Sequence, residues 1–153
     1  MDLPFRHGER PRTTETNPHQ QLTQNPTSEV HELLLSRAFD FSHVERRPSA
    51  ISVPGAQALW LSEEVGDGPT EAFLIGREFA HIHPTYDGSM HAMLPSAEVE
   101  ELLAKGWGEP HPMARRGVIP ATAVMIYAPR SAEEVETVLH VIEVSYRFAL
   151  GER

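Results

Sequence analysis

Residues 78–91 read EFAHIHPTYDGSMH and place His81, His83 and His91 within eleven positions. Imidazole changes charge near neutral pH, and its neutral nitrogen is a common metal ligand. Three such rings together admit a metal centre, metal-free acid–base chemistry, or the solvated face of a hairpin. Pro84 and Asp87-Gly88 mark a turn, so the stretch is predicted to be a β-hairpin. Side chains alternate along a strand, which puts Phe79, His81 and His83 on one face and Ala80 and Ile82 on the other. On the return strand Ser89, His91 and Met93 share a face. A five-residue loop over 84–88 sets residue 83 opposite 89 and His81 opposite His91, with Cβ atoms roughly 4.5–5.5 Å apart. A bulge at Asp87-Gly88 would shift the register by one and separate the two rings.

In the metal reading, His81, His83 and His91 are the ligands. GREFAHIHPTYD is similar in part to a cupin motif, with a Gly, then H-x-H, then an acidic residue. It departs in the Gly spacing and in using Asp87 where Glu is usual, and the downstream half of that motif is not in place. In the acid–base reading, clustered imidazoles disfavour one another's protonation and leave a neutral base. The metal-free reading is the one we adopt from sequence. A second group of candidates is GWGEPHP, residues 106–112, where Trp107 follows a helix end and His111 is stiffened between two prolines. Trp107 alone reads equally as core. YAPR, residues 127–130, places Tyr127 and Arg130 at the end of a buried strand. Arg130 there suits a substrate carboxylate or enolate, or a local pair with Glu133 or Glu134. No G-x-S-x-G, P-loop or G-x-G-x-x-G occurs, so no nucleotide or flavin cofactor is expected by those routes.

The elements that must hold these residues follow from periodicity and punctuation. TSEVHELLLSRAF (27–39) predicts a capped helix with an apolar stripe at Val30, Leu33, Leu34 and Ala38. Strands are predicted at 50–53, 57–62 and 70–76, the last continuing into 77–83, and at 89–94. PSAEVEELLAKG predicts a helix ended by Gly106. WGEPHPMARRGVIP reads as a long loop and ATAVMIYA (121–128) as a buried strand. Ser131 and Glu134 form a capping box that opens the longest helix, SAEEVETVLHVIEVSYRFAL. The fold expected is α+β: an antiparallel sheet of about five to six strands with helices packed on one face. The 153 residues suit one domain. Residues 1–26, with few apolar side chains, read by composition as a flexible arm.

The bulk chemistry excludes several roles. A net charge of −9 opposes binding to nucleic acid or to an anionic membrane. No apolar run approaches the roughly 18–20 residues that span a bilayer, and MDLPFRHGERPR has no apolar signal core. The absence of cysteine excludes disulfides, thiolate metal sites and a cysteine nucleophile. A cytoplasmic protein is the default; the charge balance identifies no partner, and the oligomeric state is not specified by the sequence.

Several of these motifs together resemble the fungal luciferase family and its bacterial relatives. They are LPFRHGERP at 3–11; Glu78, Ala80, His81, His83, Asp87 and His91; Lys-Gly-Trp-Gly at 105–108; His-Pro at 111–112; and Tyr-Ala-Pro-Arg at 127–130. The likeness is patchy over 13–75 and good from 77 to about 146. It departs in the loop MARRGVIP and in a start that corresponds to the segment after the fungal membrane anchor. The resemblance implies an oxygenase that acts without an organic cofactor on a hydroxylated α-pyrone of the 3-hydroxyhispidin type, through a cyclic peroxide that loses CO₂. It implies that the arm is ordered. It implies a site lined by His81, His83, His91 and His111 with Arg130, supported by Trp107, Tyr127, Glu78 and Asp87. A metal-dependent enzyme on the same histidines and a non-catalytic binder of an aromatic ligand are the alternatives.

Overall fold

A computed structural model describes residues 1–152. Six strands form one antiparallel sheet: β1 (Val44–Pro48), β2 (Gln57–Leu61), β3 (Glu78–Ile82), β4 (Met90–Met93), β5 (Gly108–Pro110) and β6 (Ala123–Ile126). Their order across the sheet is β1-β2-β3-β4-β6-β5. Helices α1 (Ser28–Ala38), α2 (Ser96–Ala104), α3 (Pro112–Arg115) and α4 (Ala132–Leu150) complete an α+β fold. None of the helices is long and apolar enough to cross a membrane.

The long helix α4 starts where Ser131 accepts a hydrogen bond from the Glu134 N–H and stops at Gly151, whose φ of 83° supplies the left-handed cap. Val135, Val138, Ile142 and Ala149 face inward and pack across β3 and β4. Helix α1, capped by Thr27, packs on α4 through Leu34, Leu35 and Ala38. One face of the central strands is thus committed to the apolar core.

The hairpin pairs as its loop length requires. Ala80 lies opposite Ala92, His81 opposite His91 and Ile82 opposite Met90, and the His83 N–H donates to the Ser89 carbonyl at 2.9 Å. No shift occurs at Asp87-Gly88. The irregularity lies at the other end of β3, where Leu59 faces Ala80 but Trp60 faces Glu78. One extra residue, Phe79, is accommodated there as a bulge. Strict alternation put Phe79 on the histidine face. The bulge instead buries Phe79 in the apolar core, 6.3 Å from the Tyr146 ring of α4, and brings Glu78 to the histidine side.

Three other expectations are corrected. AISV (50–53) is a turn-rich segment, not a strand, and the first strand is VERRP. That strand lies at the sheet edge and is largely solvent-facing, so its charged residues and terminal Pro carry no apolar signal. Residues 70–76 hold one 3₁₀ turn at Thr70–Ala72 and a loop. The segment 107–120 is not wholly loop: Gly108–Pro110 pairs with β6, and His111 caps the short α3.

Gly88 sits in the hairpin turn with φ +81°, and a Cβ there would come within 2.3 Å of the Pro26 ring. Gly88→Ala is expected to lower stability by about 1–3 kcal/mol in urea unfolding. Gly66→Ala, with nothing within 4 Å, is the reference substitution and should leave stability nearly unchanged.

Candidate functional site

On the sheet face opposite α4, pairing of β3 with β4 sets His81 against His91, and three further imidazoles gather around His91. Its ring centroid lies 5.1 Å from His81, 4.8 Å from His83, 5.0 Å from His19 and 4.7 Å from His111. His111 arrives from the start of α3, where its Nδ1 accepts the Met113 N–H at 3.0 Å. His19 arrives from the N-terminal arm.

A carboxylate stands behind three of these rings. Glu78 Oε2 is 2.8 Å from His81 Nδ1 and also accepts from the Ser49 hydroxyl, while its Oε1 accepts the Ala50 N–H. Asp87 Oδ2 is 3.2 Å from His83 Nδ1. Glu109 Oε2 is 2.8 Å from His19 Nε2, and its other oxygen accepts from Tyr127 and Arg10. The imidazoles also join one another, His81 Nε2 to His91 Nδ1 at 3.0 Å and His91 Nε2 to His19 Nδ1 at 2.9 Å. A continuous string therefore runs Glu78–His81–His91–His19–Glu109.

Burial and position tune the acidities. Burial, then the neighbouring imidazoles, hold His91 well below the usual imidazole value. Burial also lowers His81, against the opposing effect of its hydrogen bond to Glu78. Burial pushes His111 down to about 4. For Glu109 burial acts upward, but hydrogen bonds from His19, Tyr127 and Thr13 outweigh it and hold the carboxyl down to about 2. Burial beside Glu109 raises the Tyr127 phenol to about 12.

A cavity of about 370 Å³ opens over His81, His91 and His111. Leu74, Met93, Met113, Val118 and Ile119 give it apolar walls, and the arm closes part of its rim with Asn17 and Pro18. Ile51 and Val53, expected in a strand, line it too. Two sets of three rings bring ligand atoms within 4.8 Å of one another: His81, His83 and His91; and His19, His91 and His111.

Other sequence candidates lie elsewhere. Glu78 and Asp87 stand behind the histidines. Tyr127 sits behind Glu109. The Trp107 indole is buried and donates to the Pro4 carbonyl at 2.6 Å. Arg130 binds Glu134 at 2.6 Å and the His7 carbonyl at 2.8 Å. Trp107 and Arg130 thus fasten the arm and do not join the histidine cluster.

His19 and Glu109 escaped the sequence reading. His19 is separated from His91 by 72 positions and lies in a polar stretch that composition assigns to a flexible arm. The anchors of that arm are mostly polar. The N-terminal ammonium meets Glu101 at 2.9 Å, the Gln21 N–H meets Asp87 at 3.1 Å, and the Gln21 amide oxygen accepts the Ala128 N–H. Leu3 and Pro11 are the buried apolar side chains before residue 26 among the described residues. No single residue type in the arm signals this docking.

Residues 76–145, which carry both the hairpin and most of α4, match the luciferase domain family. Through these residues the chain is similar to the luciferase domain family. It is 34% identical over 162 residues to a luciferase of Armillaria ostoyae, covering 94% of this chain and 60% of that protein. It is similar at 33% to a luciferase of Armillaria mellea and at 32% to one of Neonothopanus nambi, with the same coverage. The chain thus spans about 60% of the length of these curated relatives. No solved structure gives a significant match. His81, His83, His91, Glu109 and His111 lie within the matched residues 76–145, and His19 lies outside them.

If Arg130 fastens the arm, Arg130→Ala should loosen residues 1–24 while leaving the sheet intact. Hydrogen exchange should quicken across the arm, and stability should fall by about 1–3 kcal/mol, the cost of unpairing hydrogen bonds around Glu134.

Proposed function

We propose that this protein is an oxygenase that brings dioxygen to a small enolic or phenolic compound of the hydroxylated α-pyrone class, with no organic cofactor. The observation that carries the reading is the cavity over His81, His91 and His111. Its volume of about 370 Å³ suits a one- or two-ring ligand. Apolar walls suit a flat aromatic body, and the polar floor suits its ionisable oxygen.

Such a substrate supplies its own electrons. Once the enol has lost its proton, the electron-rich carbon reduces dioxygen, so no flavin or nicotinamide is needed. The protein's share is to hold the enolate, stabilise its charge and exclude water. His111 suits the second task. Its Nδ1 accepts the Met113 N–H, so the neutral ring carries its proton on Nε2 and offers a donor whose direction the helix cap holds. The similarity to fungal luciferases supports the substrate class, and light emission itself belongs to the product's electronic structure and is not part of the proposal.

Oxygen uptake with hispidin-type pyrones tests the reading. The parent protein should consume O₂ in a pyrone-dependent manner, and His111→Ala should slow turnover roughly 10²–10³-fold, the usual effect of losing an oxyanion donor. Uptake that survives both His111→Ala and His81→Ala at the parental rate sinks the assignment of this cavity.

A further inference from the structure

The hydrogen bonds around His91 do not close while every imidazole is neutral. Ser89 Oγ donates to Asp87 and therefore accepts from His83 Nδ1, so the His83 proton is on Nδ1 and Nε2 bears a lone pair. Glu78 accepts from Ser49 and Ala50, which makes it a carboxylate acceptor toward His81 Nδ1 and leaves His81 Nε2 with a lone pair. Glu109, which accepts from Arg10, Thr13 and Tyr127, likewise takes the Nε2 proton of His19 and leaves a lone pair on Nδ1. His91 lies between His81 Nε2 at 3.0 Å and His19 Nδ1 at 2.9 Å. A neutral His91 has one proton and can serve one side only. On the other side two lone pairs face each other at hydrogen-bond distance, and a positive charge must lie between them.

Charge points the same way. Glu78 and Asp87 are wholly buried, and among the described residues their only ion-pair partners are His81 and His83. Glu109, by contrast, has Arg10. Two buried carboxylates without a permanent cation call for compensation of about two charges.

We propose that His81 Nε2, His83 Nε2 and His91 Nδ1 hold a divalent first-row transition-metal ion whose remaining coordination positions open toward the cavity. With the ion there, His91 turns its single proton outward from Nε2 to His19 Nδ1, and His19 passes the next from Nε2 to Glu109. Every hydrogen bond then closes with neutral imidazoles and ionised carboxylates. Each ligand also gains the partner that metal-bound histidines usually have on the far nitrogen: Glu78 for His81, the Asp87–Ser89 pair for His83, and the His19–Glu109 pair for His91. The spacing agrees. Donors about 2.1 Å from an ion and at right angles to one another lie about 3.0 Å apart, the separation of His81 Nε2 and His91 Nδ1. The competing triad of His19, His91 and His111 is disfavoured, because the Met113 N–H occupies His111 Nδ1 and so leaves its proton on Nε2. Three imidazole ligands suit zinc, iron, cobalt, nickel or copper better than magnesium or calcium.

The sequence reading leaned toward a metal-free base. The carboxylate behind each ring, which spacing along the chain does not reveal, is what reverses that preference. The inference is independent of the proposed oxygen chemistry. An ion at this position can serve as a Lewis acid for an enolate or simply rigidify a binding site.

The test is metal binding to the full chain, purified without a histidine tag and stripped with chelator. Cobalt(II) titration should show one equivalent bound, with visible ligand-field bands, and competition with zinc should displace it. His83→Ala should abolish binding. Asp87→Asn, which keeps shape and loses charge, should weaken it about 10–100-fold, and circular dichroism of both variants should match the parent. His43→Ala removes a solvent-exposed histidine and should change nothing. Binding that is absent in the folded parent, or that persists in His83→Ala, overturns the proposal. Loss in His111→Ala with retention in His83→Ala would also reject it, by moving the ion to the other triad. Pyrone-dependent O₂ uptake is scored separately, so failure of one reading leaves the other standing.

Discussion

Three carboxylates lie buried beneath five imidazoles, and the rest of the structure is arranged to keep those charges satisfied. A carboxylate removed from water without partners is costly by several kcal/mol. Here Glu78, Asp87 and Glu109 come from three different strands or turns, and each collects three or four donors. Those donors include the arm, the segment at 49–50 and the hairpin turn, so the irregular parts of the chain are held by the same network that builds the site. Stability and site geometry are consequently coupled. A change that frees one carboxylate disturbs loops that are distant in sequence.

The bulge at Phe79 is what allows one sheet to do two jobs. β3 is buried on both faces, and its side chains must be sorted between an apolar layer under α4 and a polar layer over the cavity. Regular alternation would have sent Glu78 into the core and Phe79 among the imidazoles. The extra residue reverses both at once. It gives α4 an aromatic contact and gives His81 its carboxylate. A local break in hydrogen-bonding register is thereby exchanged for correct polarity on both faces.

The hairpin was legible in the sequence because its information is local. Pro84, Asp87 and Gly88 define a loop, the loop defines the register, and the register brings His81 to His91. Helices α1 and α4 were legible from caps and apolar stripes for the same reason, and α2 from its stripe and the Gly106 stop, although it starts after Pro95 with no side-chain cap and not at a Ser96 cap. The strands at 50–53 and 70–76 failed because a short apolar run does not by itself mark sheet burial: Ile51 and Ile75 are exposed, and Ile51, Val53 and Leu74 line the cavity outside the strands. β1 failed in the opposite sense, as an edge strand with charged, exposed residues. His19 and Glu109 were illegible in principle. Their roles exist only once the arm lies against β5 and β6, and nothing in the spacing of a single chain encodes a contact 90 residues apart.

The arm is therefore best understood as part of the site and not as an appendage to the domain. It contributes a ring to the cluster, Asn17 and Pro18 to the cavity rim, and a hydrogen bond that steadies Asp87 behind His83. Its grip is mainly polar, with one buried leucine, so its docking depends on the charges it meets more than on area removed from water. Polar anchoring of this kind makes docking conditional: His19 has a place because Glu109 is ionised, and Glu109 stays ionised because His19, Thr13 and Tyr127 donate to it. Docking of the arm and completion of the histidine cluster thus rest on the same contacts: the segment that narrows the entrance with Asn17 and Pro18 also sets His19 against His91, a ring of the cavity floor.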